Sequence, residues 1–270
     1  MIESVIQYFK DLYALEVKYF REQYTPIFKK RASIVKGEYE PSEEESMWSS
    51  EDEDQIAAPK IDLRENGNIR GIPNFWLSVF KNVSMLKNLI KPYDEPILEY
   101  LKDVKVIVME KSMGFVLEFL FERNQYFTNE IFTKEYHIKL DSNIENLADF
   151  NGPQIQKCIG CEINWFQGKD VTTKTVRKRQ IHKTLGVTRK ITKIVHKSSF
   201  FNFFSPPLEP TDPNMHEACT KSIRKFLTYD FAIPQIIKER VVPKAIVYFL
   251  GIGEDDDLYF NSVGIAKMYE

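Results

Sequence analysis

The sequence predicts an α+β fold, with a long N-terminal helix followed by an α/β lobe that carries an antiparallel sheet, a projecting β-hairpin and packed helices. Three observations lead to this prediction. Apolar residues recur at spacings of three and four over the first 36 positions, as in a helix. Apolar and polar residues alternate between Val104 and Leu140, as in half-buried strands. A second region, 171–197, is rich in Val, Ile and Thr but polar on both faces.

Residues 1–37 form the first predicted unit. A helix of about 36 residues is roughly 54 Å long, which is more than a small domain covers along its own length. Two interpretations stay open: the helix packs on its own chain, or it is a dimerisation helix. The second assigns the dimer contact to these residues: Ile2, Ile6, Phe9, Tyr13, Phe20 and Tyr24. Pro26 removes a backbone hydrogen bond and predicts a bend.

Residues 38–70 are predicted to be an acidic, mobile linker. Nine acidic residues and no basic residue lie between Glu38 and Asp54, a composition that favours solvation over packing. Ser42, Ser49 and Ser50 each have an acidic residue three positions later, the pattern that an acidophilic kinase favours. The same pattern arises by chance in any acidic loop, so the kinase is one of two interpretations.

Residues 71–253 are predicted to be the α/β lobe. A helix with a broad apolar face follows Pro73, and a short second helix begins near Pro92. On that second helix Glu95, Glu99 and Asp103 are spaced by four and predict an outward acidic row, for which a solvated surface is the simplest explanation. Three alternating segments then predict an antiparallel meander with one buried face. The segment Ile163–Phe166 predicts a further half-buried strand.

The predicted hairpin, 171–197, is strongly basic. Nine Lys and Arg residues and no acidic residue lie between Val171 and Leu208, and Thr184–Gly186 is the expected turn. Because neither face is apolar, the hairpin should project from the lobe. Four aromatic residues directly after it should anchor its base in a core: Phe200, Phe201, Phe203 and Phe204. Further helices are expected after Pro207, around Pro234 and Pro243.

Several classes of function find no support. The sequence contains no serine-hydrolase, phosphate-binding, zinc-protease or dinucleotide-binding motif, so we expect neither an enzyme nor a small-molecule substrate or cofactor. Cys158 and Cys161 have half of a zinc-site spacing without a second pair, so we expect no metal site. The absence of a run of about 18 apolar residues predicts no membrane span. Three cysteines suit a reduced, intracellular protein.

Four segments give the chain a family resemblance: SFFNFFSPP at 199–207, GIPNFWLSVFKNV at 71–83, YFTNEIFTKEYHI at 126–138 and VVPKAIVYF at 241–249. They closely resemble the nucleosome assembly protein (NAP) family of histone chaperones. The resemblance implies an earmuff-like homodimer in which the long helices pair antiparallel. It also implies that acidic surfaces bind core histones, either the outer dimer pair or the central tetramer pair, and thereby promote nucleosome assembly and histone shuttling.

The resemblance also suggests roles for particular residues. By region it assigns histone contacts to the following residues: Asp94, Glu95, Glu99, Asp103, Asp255, Asp256 and Asp257. It assigns nuclear localisation, through a nuclear import receptor, to the hairpin residues Lys174, Arg177, Lys178 and Arg179, and implies shuttling between nucleus and cytoplasm. The acidic tail of the family is here reduced to a short remnant, 254–270. The alternative is a nucleic-acid-binding protein that uses the basic hairpin as a two-stranded ribbon.

Overall fold

The long N-terminal helix is confirmed. In this computed structural model, which describes residues 2–46, 70–140, 152–181, 188–206 and 230–253, the chain is helical from Ile2 to Lys36. Helix α1 (Ile2–Tyr19), a π-helical turn (Phe20–Tyr24) and α2 (Thr25–Lys36) follow one another directly. In the π turn the N–H of Thr25 bonds to the carbonyl of Phe20. This irregularity lies directly before Pro26, whose missing N–H interrupts the regular ladder.

The segment predicted as a mobile linker begins with residues that are held against α2. A short helix, α3 (Glu43–Ser46), is capped by Ser42, whose hydroxyl accepts from the Glu45 N–H at 3.3 Å while the Glu45 carboxylate accepts from the Ser42 N–H at 3.2 Å. Glu45 also forms an ion pair with Lys30 at 2.8 Å. Ser49 and Ser50 lie outside the described residues.

The two ends of the linker meet at a pair of glycines. Gly37 and Gly71 both have left-handed backbones, with φ of 72° and 73°. A Cβ on Gly37 would lie 2.7 Å from the Gly71 nitrogen, so the close approach requires glycine. The neighbouring Ile72 N–H donates to the Val35 carbonyl at 2.9 Å. The chain therefore leaves α2 and returns to the lobe at one place.

The predicted meander is confirmed and has four strands. Strands β1 (Leu101–Val108), β2 (Gly114–Phe121), β3 (Ile131–Leu140) and β4 (Pro153–Ile159) pair antiparallel in that order. We did not predict β4, because as an edge strand it is exposed at most of its positions and lacks an apolar alternation. The prediction of a strand at Ile163–Phe166 was wrong: within that segment the described pairing is a single bridge between Trp165 and Phe127.

Helices cover one face of the sheet and enclose the core. Helices α4 (Phe75–Lys81), α5 (Ser84–Leu89) and α6 (Glu95–Leu98) precede the sheet. A 3₁₀ turn (Phe200–Phe204), α7 (described over 230–236), a π turn (Ile237–Val241) and α8 (Ala245–Phe249) follow it. The aromatic cluster is buried as predicted: Phe200, Phe201, Phe203 and Phe204 are each at most 2% exposed. Their rings pack against Phe119 and Phe132, at centroid distances of 5.0–6.3 Å.

The basic hairpin is a separate two-stranded sheet. Strands β5 (Thr173–Ile181) and β6 (Thr188–His196) pair antiparallel, with Thr173 opposite His196 and Ile181 opposite Thr188. The predicted turn at Thr184–Gly186 lies outside the described residues. Within the ranges that the structure covers, no helix has the length and apolarity that a bilayer crossing requires.

Candidate functional site

The acidic residues at α6 separate into exposed and buried groups. Glu99 is exposed directly after the last residue of α6. Glu95, in the first turn, is half-buried and pairs with Lys81 at 2.7 Å. Both carboxylates are on the surface of the lobe, where a basic partner can reach them.

Asp94 belongs to the interior, which corrects its predicted assignment to the histone-contacting surface. It is fully buried, and its carboxylate accepts hydrogen bonds from the Ser199 hydroxyl at 2.7 Å, the Phe200 N–H at 2.8 Å and the Lys91 N–H at 2.9 Å. Burial raises the pKa of Asp94, although these hydrogen bonds and the charge of Lys197 oppose that effect. Asp94 therefore joins the turn before α6 to the chain that leaves the hairpin.

Asp103 is the second correction. The predicted acidic row required a helix through position 103, but α6 ends at Leu98 and β1 begins at Leu101. Asp103 lies on the strand and is 3% exposed. Burial raises its pKa, while the nearby charges of Lys36, Lys105 and Arg31 lower it. A carboxylate in this position interacts with its own chain. The remaining predicted contacts, Asp255, Asp256 and Asp257, lie outside the described residues.

The structure brings together acidic residues that the sequence analysis did not connect. Glu38, Glu122 and Glu130 line a shallow cavity of about 310 Å³ together with Lys36 and Lys102. Lys102 pairs with Glu122 at 2.8 Å, and Arg123 lies 3.8 Å from Glu130. The three carboxylates lie just after α2, just after β2 and just before β3. No local spacing could have shown their proximity.

The long helix has one face on the lobe and another in solvent. On the lobe face the Tyr13 hydroxyl contacts the β1–β2 turn, 2.6 Å from the Met109 carbonyl and 2.7 Å from the Gly114 carbonyl. Burial raises the pKa of Tyr13. Lys238 in the second π turn pairs with Glu16, and the Arg31 guanidinium donates to the Val242 carbonyl between the rings of Phe28 and Trp76. The helix is therefore attached to its own lobe along its length.

The predicted dimer contacts mostly lie on this attached face. Ile6, Phe9, Tyr13 and Phe20 are half-buried, Tyr24 is exposed, and the side chain of Ile2 lies outside the described part of the chain. The solvent face instead presents a second set of apolar residues, which we call the helix stripe: Tyr8, Leu12, Leu15, Tyr19 and Ile27. Each is between 49% and 64% exposed. The first four are spaced by four, three and four, so they share one side of α1.

The helix stripe continues into an apolar cleft. Ile27 lines a cavity of about 480 Å³ together with Pro26, Ile34, Ile72 and Ile246. Exposed apolar surface of this extent is typical of a protein interface. Periodicity could not reveal this face because apolar residues occur on nearly every side of the helix.

The hairpin carries the predicted cations on an open surface. Lys174 and Arg177 are exposed, as is Lys193 on the opposite strand. The side chains of Lys178 and Arg179 lie outside the described part, although their backbone pairs with Ile191 and Lys190. Arg177 faces Thr192 across the ladder. The arrangement is a basic ribbon joined to the lobe at one end.

The cysteines are part of the lobe. The Cys158 thiol is 3.7 Å from a carboxylate oxygen of Asp230, and the Cys161 sulfur accepts from the Thr133 N–H at 3.3 Å. Burial raises the pKa of Cys158 to about 12. Among the residues with described positions, no three His, Cys, Asp or Glu side chains are grouped as a metal site requires.

Comparison with known proteins identifies the family. The family model described as nucleosome assembly protein (NAP) matches residues 2–252. The chain belongs to the nucleosome assembly protein family. It is 41% identical over 266 residues to human nucleosome assembly protein 1-like 1, covering 94% of this chain and 67% of that protein. It is 40% identical over 269 residues to the Xenopus tropicalis protein of the same name, covering 94% and 66%. The chain thus spans about two thirds of the length of these relatives.

Two solved structures have the same fold. Nucleosome assembly protein 1 from Plasmodium knowlesi superimposes with a TM-score of 0.55 at 26% identity, covering 93% of this chain and 89% of that one. The crystal structure of Ccp1 superimposes with a TM-score of 0.52 at 18% identity, covering 94% of this chain and 96% of that one. At that identity the second comparison concerns the fold alone. Both agree with a long helix followed by an α/β lobe.

Proposed function

We propose that this NAP-family chain is a histone chaperone without enzymatic activity, which binds core histones, promotes nucleosome assembly and accompanies histones between cytoplasm and nucleus. The observation that carries the proposal is the set of surface carboxylates on and beside the lobe: Glu95 and Glu99 at α6, and Glu38, Glu122 and Glu130 at the shallow cavity. Histones are very basic. Exposed ion pairs contribute only about 0.2–1 kcal/mol each and are screened by salt. Binding through many such pairs is reversible, as a chaperone requires.

Rigid carboxylates should contribute more to binding than mobile ones. Glu95 and Glu99 lie at a helix that packs on the core, so they lose little conformational entropy when a partner binds. We therefore expect the lobe to contribute more to histone affinity than Asp255, Asp256 and Asp257. Asp94 and Asp103 are left out of this surface because they are buried.

The proposal includes a homodimer formed through the helix stripe. Antiparallel pairing of two copies would bring stripe against stripe and cover Leu12 and Leu15. It would also place the start of one helix near the cleft at Ile27 of the other. Covering these side chains favours association because each buried leucine contributes about 1.5–3 kcal/mol.

The basic hairpin is proposed as the element that a nuclear import receptor binds, through Lys174, Arg177, Lys178 and Arg179. The ribbon also has the charge that nucleic acid attracts, so DNA binding is the second candidate function. Exposed Ser42, beside Glu43, Glu44 and Glu45, is the described position most suited to an acidophilic kinase.

A titration at matched ionic strength tests the proposal. We expect the double substitution Glu95→Lys/Glu99→Lys to weaken binding of the outer histone dimer about tenfold, since each reversal replaces an attraction by a repulsion. Deleting 254–270 should have a smaller effect. Glu239→Lys, an exposed single reversal on the second π turn, is the control, and Glu95→Lys and Glu99→Lys are also measured singly beside it. Equal loss in the control and the double variant, or a larger loss in the deletion, would contradict the assignment to the lobe.

The same titration with duplex DNA separates the two candidate functions. Neutralising the hairpin should abolish DNA binding if the ribbon reads nucleic acid, and should leave histone binding unchanged if the lobe holds the histones. The central tetramer pair is titrated in parallel to establish which histone pair is preferred.

A further inference from the structure

The first strand of the basic hairpin is anchored by an aspartate. Asp170 lies three residues before β5, and one oxygen of its carboxylate accepts from the Thr172 N–H at 2.8 Å and the Thr172 hydroxyl at 2.6 Å. The other oxygen accepts from the Thr173 hydroxyl at 2.7 Å. These three bonds fix the backbone where the chain enters the hairpin. Hydrogen bonds to a carboxylate are stronger than neutral ones, so the fixation is firm.

The second strand is anchored by another aspartate from a different part of the chain. Asp94 accepts from the Ser199 hydroxyl and the Phe200 N–H, three and four residues after β6 ends at His196. Its third bond, from the Lys91 N–H, holds the carboxylate in its own turn. Asp94 is fully buried, so water does not compete for these bonds. The exit of the hairpin is thereby attached to the turn before α6.

Tyr93 adds a second attachment at the same place. Its hydroxyl donates to the Ser198 carbonyl, and the Lys197 ammonium lies 3.1 Å from the centre of its ring. The Asn202 side chain donates to the Lys197 carbonyl at 2.9 Å. Every residue from Lys197 to Phe200 therefore has a defined contact with the lobe or with the 3₁₀ turn.

Asp94 and Asp170 act on the same hairpin base, because the chain entering the hairpin and the chain leaving it are hydrogen-bonded to each other. The Lys197 N–H donates to the Thr172 carbonyl at 2.8 Å, directly below the last ladder pair, Thr173 and His196. A rotation of the hairpin relative to the lobe would break the bonds to Asp94, whereas the local bonds to Asp170 hold the entering strand in one backbone conformation. Where its side chains are described, the ribbon has polar residues on both faces and no apolar face to hold its direction, so the base must do so.

We propose that Asp94 and Asp170 are positioning residues for the basic hairpin: they fix the direction in which the ribbon leaves the lobe and so present its cations to a binding partner as a rigid arm. The use of the arm by an import receptor rests on the proposed function above. The positioning itself does not. A hairpin whose direction is fixed loses less conformational entropy on binding than a mobile one, so it binds its partner with higher affinity.

The direction of the hairpin is measured as a distance distribution between two nitroxide labels. One label replaces exposed Thr192 on β6, and the other replaces exposed Lys87 on α5. Both are attached through a genetically encoded keto amino acid, so that the native cysteines are left untouched. We expect a single narrow distribution for the parent protein. Asp170→Ala and Asp94→Ala should broaden it, and combining them should broaden it further.

Asp94→Asn is the matched control. An asparagine oxygen can accept from the Phe200 and Lys91 N–H groups while its amide donates to the Ser199 hydroxyl oxygen, so this variant should keep the narrow distribution. If Asp94→Ala does not fold, Asp170→Ala and Tyr93→Phe decide the question, since both positions are partly exposed. A broad distribution in the parent protein, or an unchanged one in Asp170→Ala, would overturn the proposal.

Binding to a purified nuclear import receptor then tests the consequence. Asp170→Ala leaves every hairpin cation in place, and we expect it to weaken receptor binding by about three- to tenfold. Arg177→Ala is measured beside it. If Arg177→Ala has no effect, the hairpin is not the receptor site and the proposed function fails at this point, while the distance result stands separately. If Arg177→Ala weakens binding but Asp170→Ala does not, rigid presentation is refuted.

Discussion

Lys134 on β3 and Asp230 at the first described position of α7 form an ion pair inside the lobe, with the Lys134 ammonium 2.7 Å and 2.8 Å from the two carboxylate oxygens. The Lys134 side chain has no exposed surface. The Tyr136 hydroxyl donates to the same carboxylate at 2.9 Å, and the Phe203 ring centre lies 3.9 Å from the ammonium. This network attaches α7 to the sheet across a sequence separation of 96 residues.

Removing one member of the pair should be costly. Asp230→Ala leaves the ammonium buried without its partner, and we expect a loss of about 3–5 kcal/mol in the free energy of unfolding. Burial lowers the pKa of Lys134 below its value in the unfolded chain, so the unfolded chain binds the proton more tightly than the folded one. The stability of Asp230→Ala should therefore rise with pH as the medium approaches the ordinary lysine pKa of 10.5. Denaturant titrations at fixed protein concentration and several pH values measure both effects.

The apolar double variant Lys134→Met/Asp230→Leu is the control for this pair, because it removes both charges together. It should recover most of the lost stability. A single variant as stable as the parent protein would contradict the assigned role of the pair.

The helix stripe predicts which substitutions dissociate the proposed dimer. Leu12→Glu/Leu15→Glu places charges on the solvent face of α1, and we expect monomer in analytical sedimentation with an intact lobe. Tyr13→Phe is the control on the other face. It removes the hydrogen bonds to the β1–β2 turn and should lower stability by about 1 kcal/mol without changing the oligomeric state. A fully dimeric Leu12/Leu15 double variant would refute the assignment of the stripe.

The thiol of Cys158 should be nearly inert in the folded protein. Its pKa is raised from 9.0 to about 12, chiefly by burial, so thiolate at pH 9 should be depleted by about two to three orders of magnitude relative to the unfolded chain. Because the folded pKa is the higher one, this group's contribution to stability decreases as pH rises above 9.0. Alkylation followed by peptide mapping, with and without urea, measures the difference. Rapid modification of Cys158 in the folded chain would contradict its burial beside Asp230.

Neutralising the hairpin should impair nuclear entry while preserving the fold. We expect glutamine at Lys174, Arg177, Lys178 and Arg179 to reduce accumulation of a fluorescent fusion in nuclei. The fold should survive, because the described cations of this group are already solvated. The control changes four exposed cations of the lobe to glutamine: Lys87, Lys111, Arg123 and Lys139. Both variants should unfold cooperatively at the parental temperature. Equal nuclear accumulation of the hairpin variant and the parent would exclude this role.

The sequence by itself determined the elements whose pattern is local. The helix to Lys36, the alternation in β1–β3 and the aromatic run at Phe200–Phe204 each depend on neighbours along the chain, so spacing and residue type are enough to predict them. The basic hairpin follows from the same reasoning, because the absence of an apolar face is visible in the sequence. The four segments that resemble the NAP family can likewise be recognised from local sequence alone.

Only the tertiary structure decided which acidic residues are available and which side of the long helix is free. Asp94 and Glu95 are adjacent in the chain, yet one is buried against Ser199 and the other is on the surface. Likewise, Tyr13 contacts the β1–β2 turn while Leu12 faces solvent. The physical reason is that a side chain's environment is set by groups about 100 residues away, here 105 for Asp94 and 96 for Tyr13. Periodicity carries no information about contacts over such separations.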